Sequence, residues 1–270
     1  MKTLISGPWV GEFGWELFAW NGYVRALSRN YDKTIIIARP SSKHLYEDFC
    51  TQFISFEPVG GLADSFFMHD HNILESAKRC IIENNIKLDK NTTLFLPKRI
   101  GFPPHTHYEQ GVVLGSGVVK PEYKSFGTLG ETEGYDFIFH IRDRALRKED
   151  NWCMENWQEL RRLLGTDKSI ACIGTKRESA CLPDTADLRG IEMSSLVNIL
   201  KNSGAAFGPS SGPMHLASLC ELPHVVWSIP DNKARYEENW NPLRTRVLFT
   251  SEYDWHPSPG HIYKIFMEWI

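Results

Sequence analysis

Short apolar runs alternate along the chain with longer stretches whose apolar residues recur every three or four positions. This rhythm predicts strands interleaved with helices. Residues 2–6 predict a first strand, and Gly7-Pro8-Trp9-Val10-Gly11-Glu12-Phe13-Gly14 a turn-rich loop. Between 15 and 28 the apolar residues fall at 15, 17, 18, 20, 24 and 27, a helical spacing. Thr34-Ile35-Ile36-Ile37-Ala38 is apolar without alternation, as in a parallel strand covered on both faces. Residues 42–53 predict a second helix, 54–56 a short strand, 74–84 a helix and 93–96 a strand. The opening order β-loop-α-β predicts a Rossmann-like unit.

Residues 97–131 break the pattern. They carry Pro97, Pro103, Pro104 and Pro121 among many glycines, and predict a loop or linker at a domain boundary. A second series follows, with a strand at 137–141, a helix at 152–164, a strand at 169–173 ending in Gly174, and a helix at 194–202. Ala205-Ala206-Phe207 then runs into Gly208-Pro209-Ser210-Ser211-Gly212-Pro213-Met214-His215-Leu216-Ala217, and Val225-Val226-Trp227 predicts one more strand. Residues 260–270 predict a last helix with Ile262, Ile265, Phe266 and Trp269 buried. The expected organisation is an N-terminal domain 1–126, a C-terminal domain 127–255 and a crossover helix 256–270.

Composition narrows the function classes. The 270 residues are 42% hydrophobic and 23% charged, enough for a large buried core. A net charge of -3 supplies no global basic field for nucleic acid, although a local groove can still be basic. The cysteines at 50, 80, 153, 172, 181 and 220 form no CxxC, and a reduced, intracellular setting is expected. The start, Met1-Lys2-Thr3-Leu4-Ile5, is too short for a signal peptide, and no apolar run approaches bilayer length, so a cytoplasmic location is expected.

The chemistry concentrates in three places. Gly212 followed by Pro213 is a good helix opening, because proline at the first helical position lacks an N–H that would be unpaired anyway. The N–H groups and positive dipole end there favour an anion such as phosphate, with Ser210, Ser211 and His215 around them. Glu12 and Glu16 lie in Gly11-Glu12-Phe13-Gly14-Trp15-Glu16, at the carboxyl end of a strand, where α/β sheets bind ligands. In His140-Ile141-Arg142-Asp143-Arg144 the two arginines alternate with His140 on one strand face, and with Arg147 and Lys148 they form a basic cluster. Arginine suits bidentate phosphate contact. His69-x-His71 and His105-x-His107 lack a nearby cysteine or acidic ligand set, so no metal site is expected. The sequence has no P-loop and no Gly-x-Gly-x-x-Gly, which argues against kinase and NAD chemistry, and it has no Asp-x-Asp to hold a divalent ion on a diphosphate.

The order of elements from 137 to 228, with the turn Gly208 to Ala217, resembles the C-terminal domain of GT-B glycosyltransferases, and within them the ADP-heptose:lipopolysaccharide heptosyltransferase family. That family carries a Gly-x-Asp-(Ser/Thr)-Gly-x-x-His-x-Ala turn after a strand; this chain has Ser210 where the family has Asp. The resemblance implies two facing Rossmann-like α/β domains, with the C-terminal helix packing back on the N-terminal domain. It implies an inverting transfer of sugar from a nucleotide-sugar donor, with no metal and no cofactor, to a surface glycan or saccharide. Glu12, with Glu16 as the second candidate, would be the base. His215 would face the diphosphate beside Ser210, Ser211, Gly212, Pro213 and Met214. His140, Arg142 and Arg144 would serve the diphosphate, Thr175 and Lys176 the nucleotide, and Arg189, Gly190 and Ile191 the base pocket. Trimmed enzymes of this fold in viruses glycosylate hydroxymethylated DNA bases, and Lys98, Arg99, His105, His107, Tyr108, Lys120 and Lys124 mark the segment to search for such a surface. A non-catalytic sugar-nucleotide-binding module and a nucleotide-sugar epimerase are the alternatives of other classes. A monomer or weak dimer is expected.

Overall fold

Two all-parallel sheets organise the chain, one in each of two units, Met1–Tyr123 and Lys124–Ile270. The computed structural model describes residues 1–58, 72–97 and 120–270 in full. Between them it describes only the backbone strands β5 (Arg99–Ile100), β6 (His107–Tyr108), β7 (Val112–Leu114) and β8 (Gly117–Val119). His69, His71, Lys98 and His105 lie outside the described residues, as do the side chains of Arg99, His107 and Tyr108.

In the first unit, β1 (Thr3–Ser6), β2 (Lys33–Ala38), β3 (Gln52–Ser55) and β4 (Thr92–Phe95) stand in the order β3-β2-β1-β4. Ile35, Ile36 and Ile37 are all buried, as an unbroken apolar run in a central parallel strand requires. Helix α1 runs as Phe13–Trp15, a π-helical Glu16–Asn21 and Gly22–Ser28. The helix expected over 42–53 is not formed. Instead Pro40–Leu45 makes a 3-10 turn and Gln52–Ser55 becomes the edge strand, pairing Phe53 with Ile36 and Ile54 with Ile37. Ladder pairing along β2 outweighs a helical spacing in which only Ser42, Leu45 and Tyr46 would find the core. Helix α2 (Ile73–Glu83) opens on Asn72, whose Oδ1 accepts the Glu75 amide at 3.1 Å.

In the second unit, β9 (Phe137–Phe139), β10 (Ile170–Cys172), β11 (Ala186–Asp187), β12 (Ala205–Pro209), β13 (His224–Trp227) and β14 (Val247–Thr250) stand in the order β11-β10-β9-β12-β13-β14. Helices α3 (Met154–Leu164), α4 (Met193–Lys201) and α5 (Gly212–Leu219) connect them, and α6 (Pro259–Trp269) ends the chain. Within its own unit the last helix adds Ile262 and Phe266 to one core with Phe139, Trp157, Phe207 and Trp227, and the Phe266 ring meets those of Phe207 and Phe137 at 4.9 and 5.9 Å.

Each sheet has a point where the strand order reverses, between β1 and β4 in the first unit and between β9 and β12 in the second. Ligands of open α/β sheets bind outside the carboxyl ends of the strands at such points. The loop Gly7 to Glu12 leaves β1 there; His140 to Arg144 and Ser210-Ser211 leave β9 and β12 there. Among the described residues no helix is long and apolar enough to cross a membrane.

Candidate functional site

The second unit's site is the turn from β12 into α5. Gly208 is required by close approach: a Cβ there would lie 2.8 Å from Met214 Sδ and 3.2 Å from His140 Cβ. Met214 is fully buried, so its side chain closes the turn from beneath rather than facing a ligand. Ser211 occupies the N-cap with extended backbone, Pro213 sits in the first turn, and the first intrahelical bond runs from the His215 amide to Ser211 O at 3.1 Å. No side chain caps this helix start.

The amides available there are fewer than the spacing implies. Pro213 has none, and the Ser211 amide is taken by Tyr236 Oη at 2.9 Å. Those of Gly212 and Met214 precede the first intrahelical bond and carry the positive end of the helix. Tyr236 stands on a π-helical turn after β13, Arg235–Asn239, and its hydroxyl also donates to Ser211 O at 3.3 Å. An isolated tyrosine in a polar stretch carries no signal of this role in the sequence.

His140, at the end of β9, shares a hydrogen bond between Nδ1 and Ser211 Oγ at 2.8 Å, while Nε2 lies 3.5 Å from Ser179 Oγ. Burial, reinforced by Arg142 and Arg144, holds its pKa down to about 3, so the ring is neutral near pH 7. Gly174 permits this approach: its φ is 123°, and a Cβ would sit 2.1 Å from Ser179 Oγ and 3.1 Å from the His140 ring.

Arg142 is brought to the turn but is already committed. Its Nη1 donates to Ser210 O at 3.2 Å, its Nη2 to Asp150 O, and Trp255 covers its guanidinium at 4.7 Å. Only 5% of the residue is exposed, and burial, with Arg144 beside it, pushes its pKa down to about 9, still charged at neutrality. Its Nε has no hydrogen-bond partner. The guanidinium therefore binds the β9 loop to the β12 turn and leaves a buried positive charge beside it. Arg144 pairs with Asp150 at 3.2 Å.

His215 lies in the first turn of α5 but is 4% exposed, its ring stacked on Tyr236 at 4.2 Å and edge-on to Trp240 at 4.8 Å. Burial first, then Arg235 and His224, holds its pKa well below the usual range. An imidazolium is thus not on hand near neutral pH.

The remaining candidates lie at the β10 end. Thr175 Oγ1 accepts the Glu178 amide at 3.1 Å, and Lys176 is exposed. Arg189 forks onto Asp187 at 2.7 and 2.8 Å and donates to Ser179 O at 2.6 Å. Gly190, at φ 78°, donates its amide to Gly174 O at 2.8 Å. Through Ser179 this group is joined to His140 and so to the turn.

In the first unit the two glutamates separate sharply. Glu12 is half-buried at the N-cap of α1, and its carbonyl accepts the Glu16 amide at 3.0 Å. Glu16 is wholly buried: Oε2 accepts from Ser42 Oγ at 2.9 Å and Oε1 from Tyr46 Oη at 2.8 Å. Burial raises its pKa against the lowering effect of Arg39 and of those two hydrogen bonds. Glu12 alone of the pair has solvent access. The loop before it is held by β2 and β4: Gly7 N donates to Phe95 O at 3.0 Å, and Trp9 N to Ile37 O at 3.2 Å. Among the described residues no group of three or more His, Cys, Asp or Glu side chains could hold a metal ion.

No protein-family model matches the sequence, and no curated protein matches it at a significant level. Solved structures do match. The chain is similar to the ADP-heptose lps heptosyltransferase II of E. coli, with a TM-score of 0.61, 14% identity, and coverage of 99% of this chain and 98% of that one. It is similar to the E. coli heptosyltransferase WaaC solved with ADP-2-deoxy-2-fluoro heptose, with a TM-score of 0.58, 11% identity and 100% of both chains covered. It is similar to a glycosyl transferase family 9 protein from Veillonella parvula, with a TM-score of 0.57, 11% identity, and 100% of this chain and 89% of that one covered. At these identities the likeness is one of fold, and it runs the whole length of the chain: with its two parallel Rossmann-like sheets, this is a GT-B-fold protein.

Proposed function

We propose that the chain is a glycosyltransferase that moves a sugar from a nucleotide-sugar donor to an acceptor hydroxyl. The observation that carries this reading is the uncapped start of α5 at the switch point of the second sheet, backed by the buried charge of Arg142. Such a place favours a diphosphate. The whole-length likeness to heptosyltransferase structures supports the sugar-nucleotide form of that diphosphate.

In this reading Glu12 takes the proton from the acceptor hydroxyl. The oxygen attacks the anomeric carbon as the bond from that carbon to the diphosphate oxygen breaks, and the electron pair leaves on the diphosphate. The Gly212 and Met214 amides, the helix dipole and Arg142 stabilise the leaving group. Arg142 acts as a fixed charge and not as a bidentate clamp. His215 holds the turn by stacking on Tyr236. Attack opposite the leaving group inverts the anomeric centre. The lack of Asp-x-Asp favours transfer without a divalent ion, the acceptor class is a surface glycan or saccharide, and the setting is cytoplasmic.

The test is a nucleotide-sugar panel read by thermal shift, since a ligand of the native state raises apparent stability, followed by turnover of the donor that binds. Glu12→Gln should cut turnover at least ~100-fold with donor binding retained. Parent-level turnover in Glu12→Gln removes the assigned base, and a donor that binds but never turns over with any acceptor marks a binding module instead.

A further inference from the structure

Arg39 follows β2 directly and is 0% exposed, with Glu16 the most completely buried charged side chain among the described residues. Its Nη1 donates to Gly11 O at 2.8 Å and its Nη2 to Val10 O at 3.3 Å. These are the two carbonyls immediately before Glu12. The Glu16 carboxylate lies within reach of the Arg39 charge and is itself fastened by Ser42 and Tyr46 from the segment after β2. Glu16 is one helical turn beyond Glu12, and its amide bonds the Glu12 carbonyl. The backbone on both sides of Glu12 is thus tied to two buried ionisable groups, Arg39 and Glu16.

A buried ion pair is a poor way to gain stability, because desolvation offsets the attraction, and an apolar pair of similar volume often does as well. What the pair supplies here is direction: a planar fork whose two ends both finish on the loop that carries the base. We propose that Arg39 is a positioning residue, clamping the Val10 and Gly11 carbonyls so that the Glu12 carboxylate is presented at the carboxyl end of β1. This rests on Glu12 being the base of the transfer proposed above. A base displaced by about an ångström can lose about 100-fold in rate without any loss of substrate binding.

The decisive comparison is between Glu16→Gln alone and Glu16→Gln combined with Arg39→Met, which removes both charges and keeps the volume. Three quantities are read for each: melting temperature, kcat with donor KM, and hydrogen–deuterium exchange of peptides covering 7–16. The single variant keeps the clamp, so its kcat should stay within about threefold of the parent. The double variant should melt near the parent yet lose at least about tenfold in kcat, with donor KM unchanged and exchange over 7–16 at least about tenfold faster. A folded double variant with parent-like kcat, or with unchanged exchange over 7–16, overturns the inference. So does an equal loss in the single variant, which would make Glu16 itself the important group. Should the double variant fail to fold, Arg39→Lys is read by the same three quantities and the same outcomes. If the parent turns over no nucleotide sugar, the transferase reading fails by itself, and the exchange measurement alone decides the clamp.

Discussion

Lowering the pH from about 7.5 to about 5.5 should destabilise the second unit through three histidines buried as neutral rings. His140 is held down to about 3 and His224 to about 4, both chiefly by burial, and His215 well below the usual range. His224 is fully buried; its Nδ1–H donates to Leu222 O at 2.8 Å, which leaves Nε2 to accept from Ser218 Oγ at 3.3 Å. Protonation would place a charge in this buried site and force the Ser218 hydroxyl to turn from donating to accepting. The folded pKa values are depressed, so the stability is fully present above the unfolded value of 6.5 and is lost as pH falls towards the folded ones. One pH unit below the unfolded value, each histidine costs about 1.4 kcal/mol, or about 4 kcal/mol for the three. Glu16 runs the other way: its raised pKa gives stability that is present in acid and lost as pH rises, but it belongs to the first unit. The assay must therefore resolve the units. Urea unfolding read by hydrogen exchange on peptides covering 137–142 and 212–227 does so, and histidine Cε1 NMR counts the rings that fail to titrate. His224→Asn keeps a donor towards Leu222 O and should remove about a third of the slope. Equal stability at the two pH values, or an unchanged slope in His224→Asn, would refute the reasoning.

Tyr236→Phe removes the hydroxyl that meets the Ser211 amide and carbonyl, and should cost about 1–3 kcal/mol and weaken donor binding more than it changes kcat; chemical denaturation and donor titration measure both. Gly208→Ala drives a methyl to 2.8 Å from Met214 Sδ and should cost about 1–3 kcal/mol, with Met214→Ala in the same chain relieving part of the loss; additive losses in the pair would show that the two side chains do not meet. Gly7→Ala asks for a side chain at φ 106° with its Cβ 2.1 Å from Ile37 O, and should unfold the first unit or displace the Glu12 loop, seen as rapid exchange over 7–16. His215→Phe keeps a ring against Tyr236 and should keep turnover within about fivefold; a loss of 100-fold or more would return the imidazole to the chemistry.

The alternation of apolar runs and helical spacings determined both Rossmann-like series, because burial on two sheet faces demands such residues wherever they pack. It also determined the helix opening at Gly212-Pro213, since proline and glycine restrict the backbone locally. The cut between Glu12 and Glu16 was not legible. Both are carboxylates at a helix start, and only Arg39, Ser42 and Tyr46, brought from the far side of β2, bury one and leave the other accessible. The 42–53 segment reads as helix by spacing but breaks after a 3-10 turn, and its last two residues enter the edge strand β3, because the partner strand β2 lies outside any local window. The same holds at the second site. Arg142 reads as a phosphate ligand from its type and place, yet Ser210 O, Asp150 O and Trp255 claim it from three other parts of the chain. Tyr236 and the β14 strand carry little pattern of their own and matter only through what they touch. Local sequence states what a segment is able to do; hydrogen-bond partners that are distant in the chain decide which groups stay free to do it.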